Sequence, residues 1–415
     1  MTNSQEIFKT GRDFRELARY VTIKAVQGPI RGAWRRWNWL KGRRDVLFIG
    51  YAQGDLGLGQ TFRNNVVAAV NAGVRVSVYP FQKGVETRQI APFRPELYDT
   101  THTYRVNFIE VAPDQVPVVR RCVPNRMTLA SYNILRTFWE LPAAPVEWRP
   151  MLDWVQEIWA PNAFVADALK SVFPRKITII PTVVDTGGVS FKDRKAFGME
   201  AGRFYFLFSF DYFSSPYRKN PLGTLRAFQE AFPARTENVG LIIKSTGTIE
   251  KHSQYHNAIL EAASSDARII VIDQSIDRND MLSLIRASDV YVSLHRSEGF
   301  GAGMAEAMSL GRIVIGTDFS GNTEFLTHQT GFPVPCRLRP VEPHEYNWSA
   351  GQVWAEADIP AAAAIMRYVA AHPGLCAQRA LAGQALVKSR YSAEAVGIAI
   401  KRRIDEIANN RPAGF

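Results

Sequence analysis

Val290-Tyr291-Val292-Ser293-Leu294-His295-Arg296-Ser297-Glu298-Gly299-Phe300-Gly301-Ala302-Gly303-Met304-Ala305-Glu306-Ala307-Met308 is the stretch from which the architecture is read. Its apolar start, Val290 to Leu294, has the make-up of a buried strand. Three glycines cluster after it, and good helix formers follow from Met304 to Leu310. Strand, glycine-rich turn and helix make a phosphate-binding arrangement, because free backbone N–H groups and the helix dipole both point at the turn. Glu298 and Glu306 frame it, eight positions apart. On a continuous helix that spacing is about 12 Å of rise and roughly 80° of rotation. Two such carboxylates suit the two ends of one long ligand with a charged middle, the shape of a sugar–diphosphate–ribose unit. The pair alone means little, since an exposed helical Glu is common. Its setting carries the reading, because each glycine costs roughly 1 kcal/mol in a helix.

Working outward, the same alternation recurs along the chain. Asp45–Gly50 reads as a buried strand, Gly54 to Gly59 as a turn, and Gln60 to Ala72 as a helix ending at Gly73. Strands are expected at 74–79, 105–110, 127–135, 157–159 and 177–180. The pattern restarts with Phe204–Phe210 and continues at 239–244, 268–273, 289–294 and 312–316. Strands alternating with helices predict parallel, doubly wound sheets, here in two Rossmann-like domains. The boundaries read as a basic segment 1–44, a first domain 45–190, a linker around 181–202, a second domain 203–391, and a helical tail 392–415.

The formal charge of +11 is unevenly placed. Residues 1–44 hold eleven Lys or Arg and three Asp or Glu, which leaves only +3 for the rest. Trp34, Trp37 and Trp39 lie among these cations, a composition suited to an anionic membrane surface. An ordinary solvated helix is the plainer reading of the same segment. No nucleic-acid-binding motif accompanies it, so nucleic acid is not expected as a partner. No run of about eighteen apolar residues occurs, and the amino terminus lacks the apolar core of a signal peptide. A cytoplasmic location at the inner face of the cell membrane is the expectation. Cys122, Cys336 and Cys376 are scattered, which argues against a disulfide framework or a zinc site and predicts buried free thiols.

The Glu298-Gly299-Phe300-Gly301 run, with seven residues between Glu298 and Glu306, resembles the signature of retaining, nucleotide-sugar-dependent glycosyltransferases of family 4. Further ordered matches are Gly57-Leu58-Gly59, Trp139-Glu140-Leu141-Pro142, Glu157-Ile158-Trp159-Ala160-Pro161, Arg218-Lys219-Asn220-Pro221 and Ser320-Gly321-Asn322-Thr323-Glu324-Phe325. The resemblance implies the two-domain GT-B fold, an active site in the interdomain cleft, and a tail that crosses back onto the first domain. It implies Arg218 and Lys219 as a diphosphate clamp, Glu298 beside the transferred sugar, and Glu306 on the ribose hydroxyls. The amides of Gly299, Phe300 and Gly301 would contact the donor, and Gly57 and Gly59 would let the chain approach donor or acceptor. Where the family has bulkier residues, Ala302 and Gly303 leave more room. Lys244, His295, Glu140 and Glu324 are weaker candidates: Lys244 ends a strand, His295 is as readily a structural histidine as a catalytic one, and Glu324 suits a supporting role.

No Asp-x-Asp triplet occurs. The expectation is metal-free transfer of a hexose, without cofactor, from a GDP- or UDP-sugar to a lipid-linked or growing polysaccharide acceptor. A nucleotide-sugar epimerase of the same fold and a non-catalytic scaffold of a polysaccharide assembly complex are the competing readings.

Overall fold

The computed structural model describes residues 43–84, 89–247 and 252–409, with Trp37 and Lys41 ahead of them. The basic segment 1–44, and the membrane contact expected of it, therefore lie almost entirely outside the described residues.

The first sheet holds β1 (Arg43–Gly50), β2 (Val76–Pro80), β3 (Tyr104–Glu110), β4 (Tyr132–Arg136), β5 (Glu157–Ala160) and β6 (Lys176–Ile179). Their order is β2-β1-β3-β4-β5-β6, and every pairing is parallel. The second sheet holds β7 (Phe204–Asp211), β8 (Val239–Thr246), β9 (Ile269–Asp273), β10 (Val290–Ser293), β11 (Ile313–Thr317) and β12 (Phe332–Val334), ordered β12-β11-β10-β7-β8-β9 and again all parallel. A parallel sheet is covered on both faces, so its strands are apolar throughout rather than alternating. Ile134, Leu135, Ile158, Phe206, Leu207, Phe208 and Val292 are accordingly fully buried.

Among the described residues, the helices of eight residues or more are α1 (Gly57–Asn71), α2 (Ala163–Lys170), α3 (Pro221–Ala231), α4 (Ser253–Ser265), α5 (Arg278–Ala287), α6 (Ala302–Ser309), α7 (Ile359–Ala371), α8 (Pro373–Arg390) and α9 (Ala393–Asn409). The last of these returns to the first sheet. Val396, Ile400, Ile404 and Ile407 join the core formed with Phe48, Phe62 and Phe108. Gly397 lets α9 lie against α1, because a Cβ there would sit 2.3 Å from the Ala68 carbonyl oxygen.

Three local expectations are corrected. The 127–135 segment is not one strand: Asn125–Thr128 is a helical turn and the strand begins at Tyr132. Helix α1 begins at Gly57 rather than Gln60, so Gly57-Leu58-Gly59 forms its first turn. Of the cysteines only Cys376 is buried; Cys122 is exposed and Cys336 half-buried, all three free.

The short edge strand β12 and a hairpin were not foreseen. β13 (Cys336–Pro340) and β14 (Val353–Ala357) pair antiparallel. The loop between them carries Tyr346 and Trp348, which with Val341 and Trp354 pack into the core of the first sheet beside Trp139 and Trp148. This hairpin leaves the second sheet and binds the two halves together.

In each sheet the strand order reverses once, between β1 and β3 and between β7 and β10. Ligands of doubly wound sheets bind outside the carboxyl ends of the strands at such reversals, where the flanking loops diverge and open a crevice.

Candidate functional site

The loops after β7 and β10 meet at the second reversal. Beyond Asp211 the chain turns through Tyr212–Ser214 and then Pro216–Lys219. Asn220, at φ 54°, reverses it into α3; its side chain accepts from the Gly223 amide at 3.2 Å and donates to the Leu294 carbonyl at 2.8 Å. The Arg296 amide donates to the Arg218 carbonyl at 2.7 Å. These bonds fasten the two loops to each other and fix what their side chains face.

Arg218, 4% exposed, donates from Nη1 to the Ser297 carbonyl at 2.9 Å and to Glu298 Oε2 at 3.1 Å. Lys219 Nζ stands 2.5 Å from Glu298 Oε1. Each oxygen of Glu298 thus has its own cation. Burial alone would favour the neutral acid, but Lys219 and Arg218 outweigh it and push the carboxyl down to about 2. Arg218 is raised in turn: Glu298 and Glu140 overcome the cost of burying its charge. Its Nε finds no hydrogen-bond partner among the described residues.

The glycine-rich turn follows directly. The amides of Gly299, Phe300 and Gly301 donate to no acceptor among the described residues. Gly301, at φ 90°, caps α6 without a side-chain bond. Consecutive free amides at an uncapped helix start form an anion-binding concavity. The Phe300 side chain is turned inward against Phe325 and Tyr391. Helix α6 begins only at Ala302, so Glu298 precedes it and the two glutamates do not share a helix. The extra room expected at Gly303 is absent, since a Cβ there would lie 2.3 Å from the Tyr291 hydroxyl. That hydroxyl is 2.7 Å from Ser209 Oγ.

Glu306 lies on α6, and its Oε1 is 2.6 Å from Nη1 of Arg278 at the start of α5. Lys244, 6% exposed, has no carboxylate within 4.0 Å among the described residues. It pairs in register with Ser209, so its side chain shares the sheet face of Ser209. Burial pulls this lysine below its usual range, opposed by Asp211 and Asp273.

His295 is fully buried; Nδ1 lies 3.0 Å from the Ser293 hydroxyl and Nε2 2.9 Å from Asn322 Oδ1. Both ring nitrogens are engaged, and burial lowers its pKa, which favours the neutral ring. Glu324 accepts from the Ala163 amide at 2.6 Å and from Arg390 at 2.7 Å, which ties its turn to the start of α2 and the end of α8. Glu140 comes from the first domain: its Oε2 accepts from the Tyr346 hydroxyl at 3.0 Å, and its carbonyl accepts from Ser297 Oγ. Gly59 serves its own turn, because a Cβ would meet the Gly54 carbonyl at 2.2 Å. Gly57, with nothing within 4 Å of an added Cβ, is open.

Several contributors were missed. Asn162 donates to the carbonyls of Gly299 (2.6 Å) and Gly321 (3.3 Å), so the signature turn is held from the opposite domain. Its place after Ala160-Pro161 marks a helix cap, which its side chain also provides for α2. Arg63 donates to the carbonyls of Ala52 and Gly54, shaping the loop before α1. Tyr346 lies with its ring centroid 6.0 Å from the Arg218 guanidinium carbon. Glu110 ends β3 fully buried, with Asn65 on Oε2 at 2.9 Å. No group of three or more His, Cys, Asp or Glu is placed to hold a metal among the described residues, and no helix there is long and apolar enough to cross a membrane.

Residues 211–341 match the family model described as Glycosyl transferases group 1, a segment that includes Arg218, Lys219, Glu298 and Glu306. No curated protein matches the chain in sequence. Among solved structures, the chain is similar to Anabaena Alr3699/HepE in complex with UDP and glucose, at 15% identity and TM-score 0.64 over 88% of this chain and 100% of that one. It is similar also to sucrose-phosphate synthase from Thermosynechococcus elongatus, at 15% identity and TM-score 0.63 over 88% and 99% of the two chains. A glycosyltransferase from Rickettsia africae aligns at 14% identity and TM-score 0.60 over 89% and 99%. The fold is GT-B, two parallel six-stranded sheets with flanking helices. Together, the matched segment and the fold support a glycosyltransferase.

Proposed function

We propose that the protein is a retaining hexosyltransferase. It moves a hexose from a nucleotide-diphosphate sugar, with UDP or GDP as the leaving group, to a lipid-linked or growing polysaccharide acceptor, without a metal. The observation that carries this reading is the three successive amides of Gly299, Phe300 and Gly301, without acceptors among the described residues, beside the Arg218–Glu298–Lys219 cluster.

Departure of a nucleoside diphosphate builds charge on a phosphate oxygen. Fixed donors that already point at that oxygen stabilise the transition state without reorganising. The amide turn and the α6 start provide such donors. Lys219 and Arg218 add two positive charges against the one negative charge of Glu298. Lys244, on the same sheet face as Ser209, is a further cation for the phosphates. Glu298, kept ionised by its two cations, accepts from hydroxyls of the transferred sugar, and Glu306 accepts from the ribose. Complexes of Anabaena HepE with UDP and UDP-glucose support a uridine donor. The acceptor would enter from the side of Gly57, and residues 1–44 would hold the enzyme on an anionic membrane.

A thermal-shift screen with UDP, GDP and ADP tests donor binding. One nucleotide is expected to raise the melting temperature, and the corresponding sugar nucleotide to yield product only when an acceptor glycan is supplied. A flat response to every nucleotide contradicts the proposal, and a changed sugar nucleotide without acceptor points to an epimerase instead.

A further inference from the structure

Arg278 stands at the meeting point of three parts of the molecule. It opens α5 directly after its cap Asp277. Nη1 reaches Glu306 Oε1 at 2.6 Å, and Nη2 donates to the carbonyl of Asp185 at 3.0 Å, in the segment that joins the two sheets. Arg63 of the first domain senses its charge. Burial pulls that guanidinium down, Asp55 opposes this, and Arg278 lowers it further. The Glu306 side chain is 15% exposed, and Arg278 engages only one of its oxygens. Glu306 Oε2 accepts no hydrogen bond among the described residues.

We propose that Arg278 is the positioning residue for Glu306: it pins one carboxylate oxygen and directs the other at a nucleotide hydroxyl, and so sets the preference for ribonucleotides over deoxyribonucleotides. This rests on the reading of the site as a nucleotide-sugar pocket. A free glutamate on a helix samples several rotamers, and a hydroxyl must fix one of them on binding. A guanidinium anchored at its far end by a backbone carbonyl removes that freedom beforehand. The discrimination belongs to the hydroxyl acceptor alone, because removing one hydroxyl from the ligand leaves the acceptor oxygen unpaired.

Calorimetric titration of the full-length protein with UDP, 2′-deoxy-UDP and 3′-deoxy-UDP, and with GDP and its deoxy forms, tests this. The wild type is expected to bind the ribonucleotide at least about tenfold more tightly than one deoxy form, the range of a lost hydrogen bond to a charged group. R278Q and E306Q are each expected to bring that ratio close to one, and the double variant to change it no further. R278K, which restores a cation without the fork, is expected to recover part of it. A melt of each variant separates lost folding from lost discrimination. A ratio unchanged in R278Q overturns the proposal, as does tighter UDP binding in R278Q, which would make Arg278 a competitor of the ribose. A wild type that binds UDP but does not discriminate overturns it too. A wild type that binds no nucleotide overturns the pocket reading itself, a distinct result.

Discussion

Glu110 and Glu298 occupy corresponding places in the two domains. Each is a buried glutamate at the strand-order reversal, one ending β3 and the other in the loop after β10. Their surroundings differ. Glu298 has Lys219 at 2.5 Å and Arg218 at 3.1 Å, and its carboxyl is pushed down to about 2. Glu110 has the neutral amide of Asn65 on one oxygen, while Arg136 is turned to Ile180 and Thr182. Burial dominates there and pushes its carboxyl up to about 7, against Arg136, Asn65 and Thr61. Burial alone therefore does not set the state of a carboxyl in this protein. A cation in direct contact decides it.

The strongest way to break this comparison is E298Q. It leaves Arg218 and Lys219 buried without the carboxylate in contact with them, and removing one partner of a buried ion cluster costs roughly 3–5 kcal/mol. Urea unfolding should show that loss. Transfer measured on folded protein should fall by about 10²–10³, the range for losing a preorganised polar group at a reacting centre. Normal stability in E298Q would deny the cluster its role.

The pH dependence sharpens the contrast, because the two carboxyls contribute with opposite sign. The pKa of Glu298 is depressed when folded, so its stabilisation is present above the unfolded value of 4.5 and is lost as pH falls from there towards about 2. The pKa of Glu110 is raised, so it costs nothing below 4.5 and destabilises increasingly as pH rises to about 7. That burden is on the order of 3 kcal/mol at pH 7 and above. E110Q should therefore gain on the wild type between these two pH values, as unfolding free energies across pH will report. E298Q should show a flatter acid limb than the wild type.

Smaller effects test the contacts that join the two domains. N162A removes two hydrogen bonds to buried carbonyls and should cost about 1–3 kcal/mol by chemical unfolding. Y346F removes only the hydroxyl bonded to Glu140 and should cost about 0.5–1.5 kcal/mol. If Y346F instead abolished transfer without loss of stability, Tyr346 would be a substrate contact rather than a strut.

The sheets were legible in sequence because each strand is a short apolar run bounded by turn residues, as Phe204–Phe210 shows. The signature turn was legible because glycines are costly where they serve nothing. The parts that escaped depend on partners that only the fold brings together. Gly303 looks like spare room until Tyr291 is seen to fill it from a neighbouring strand. The hairpin of β13 and β14 has no apolar run of its own, and its stabilising partners Trp139 and Trp148 lie about two hundred residues earlier. Arg278 carries no local mark of its bond to Glu306. The helical spacing drawn between Glu298 and Glu306 does not apply, because Gly301 at φ 90° starts the helix only after Glu298.

The central claim is that a nucleoside diphosphate sits on the amide turn beside Arg218 and Lys219. A crystal structure of the protein with UDP or GDP at saturating concentration tests it most directly. The account predicts phosphate oxygens within hydrogen-bonding distance of the amides of Gly299 to Gly301 and of Lys219 or Arg218. A diphosphate bound away from this turn, or a crevice left empty while the nucleotide binds elsewhere, would contradict it.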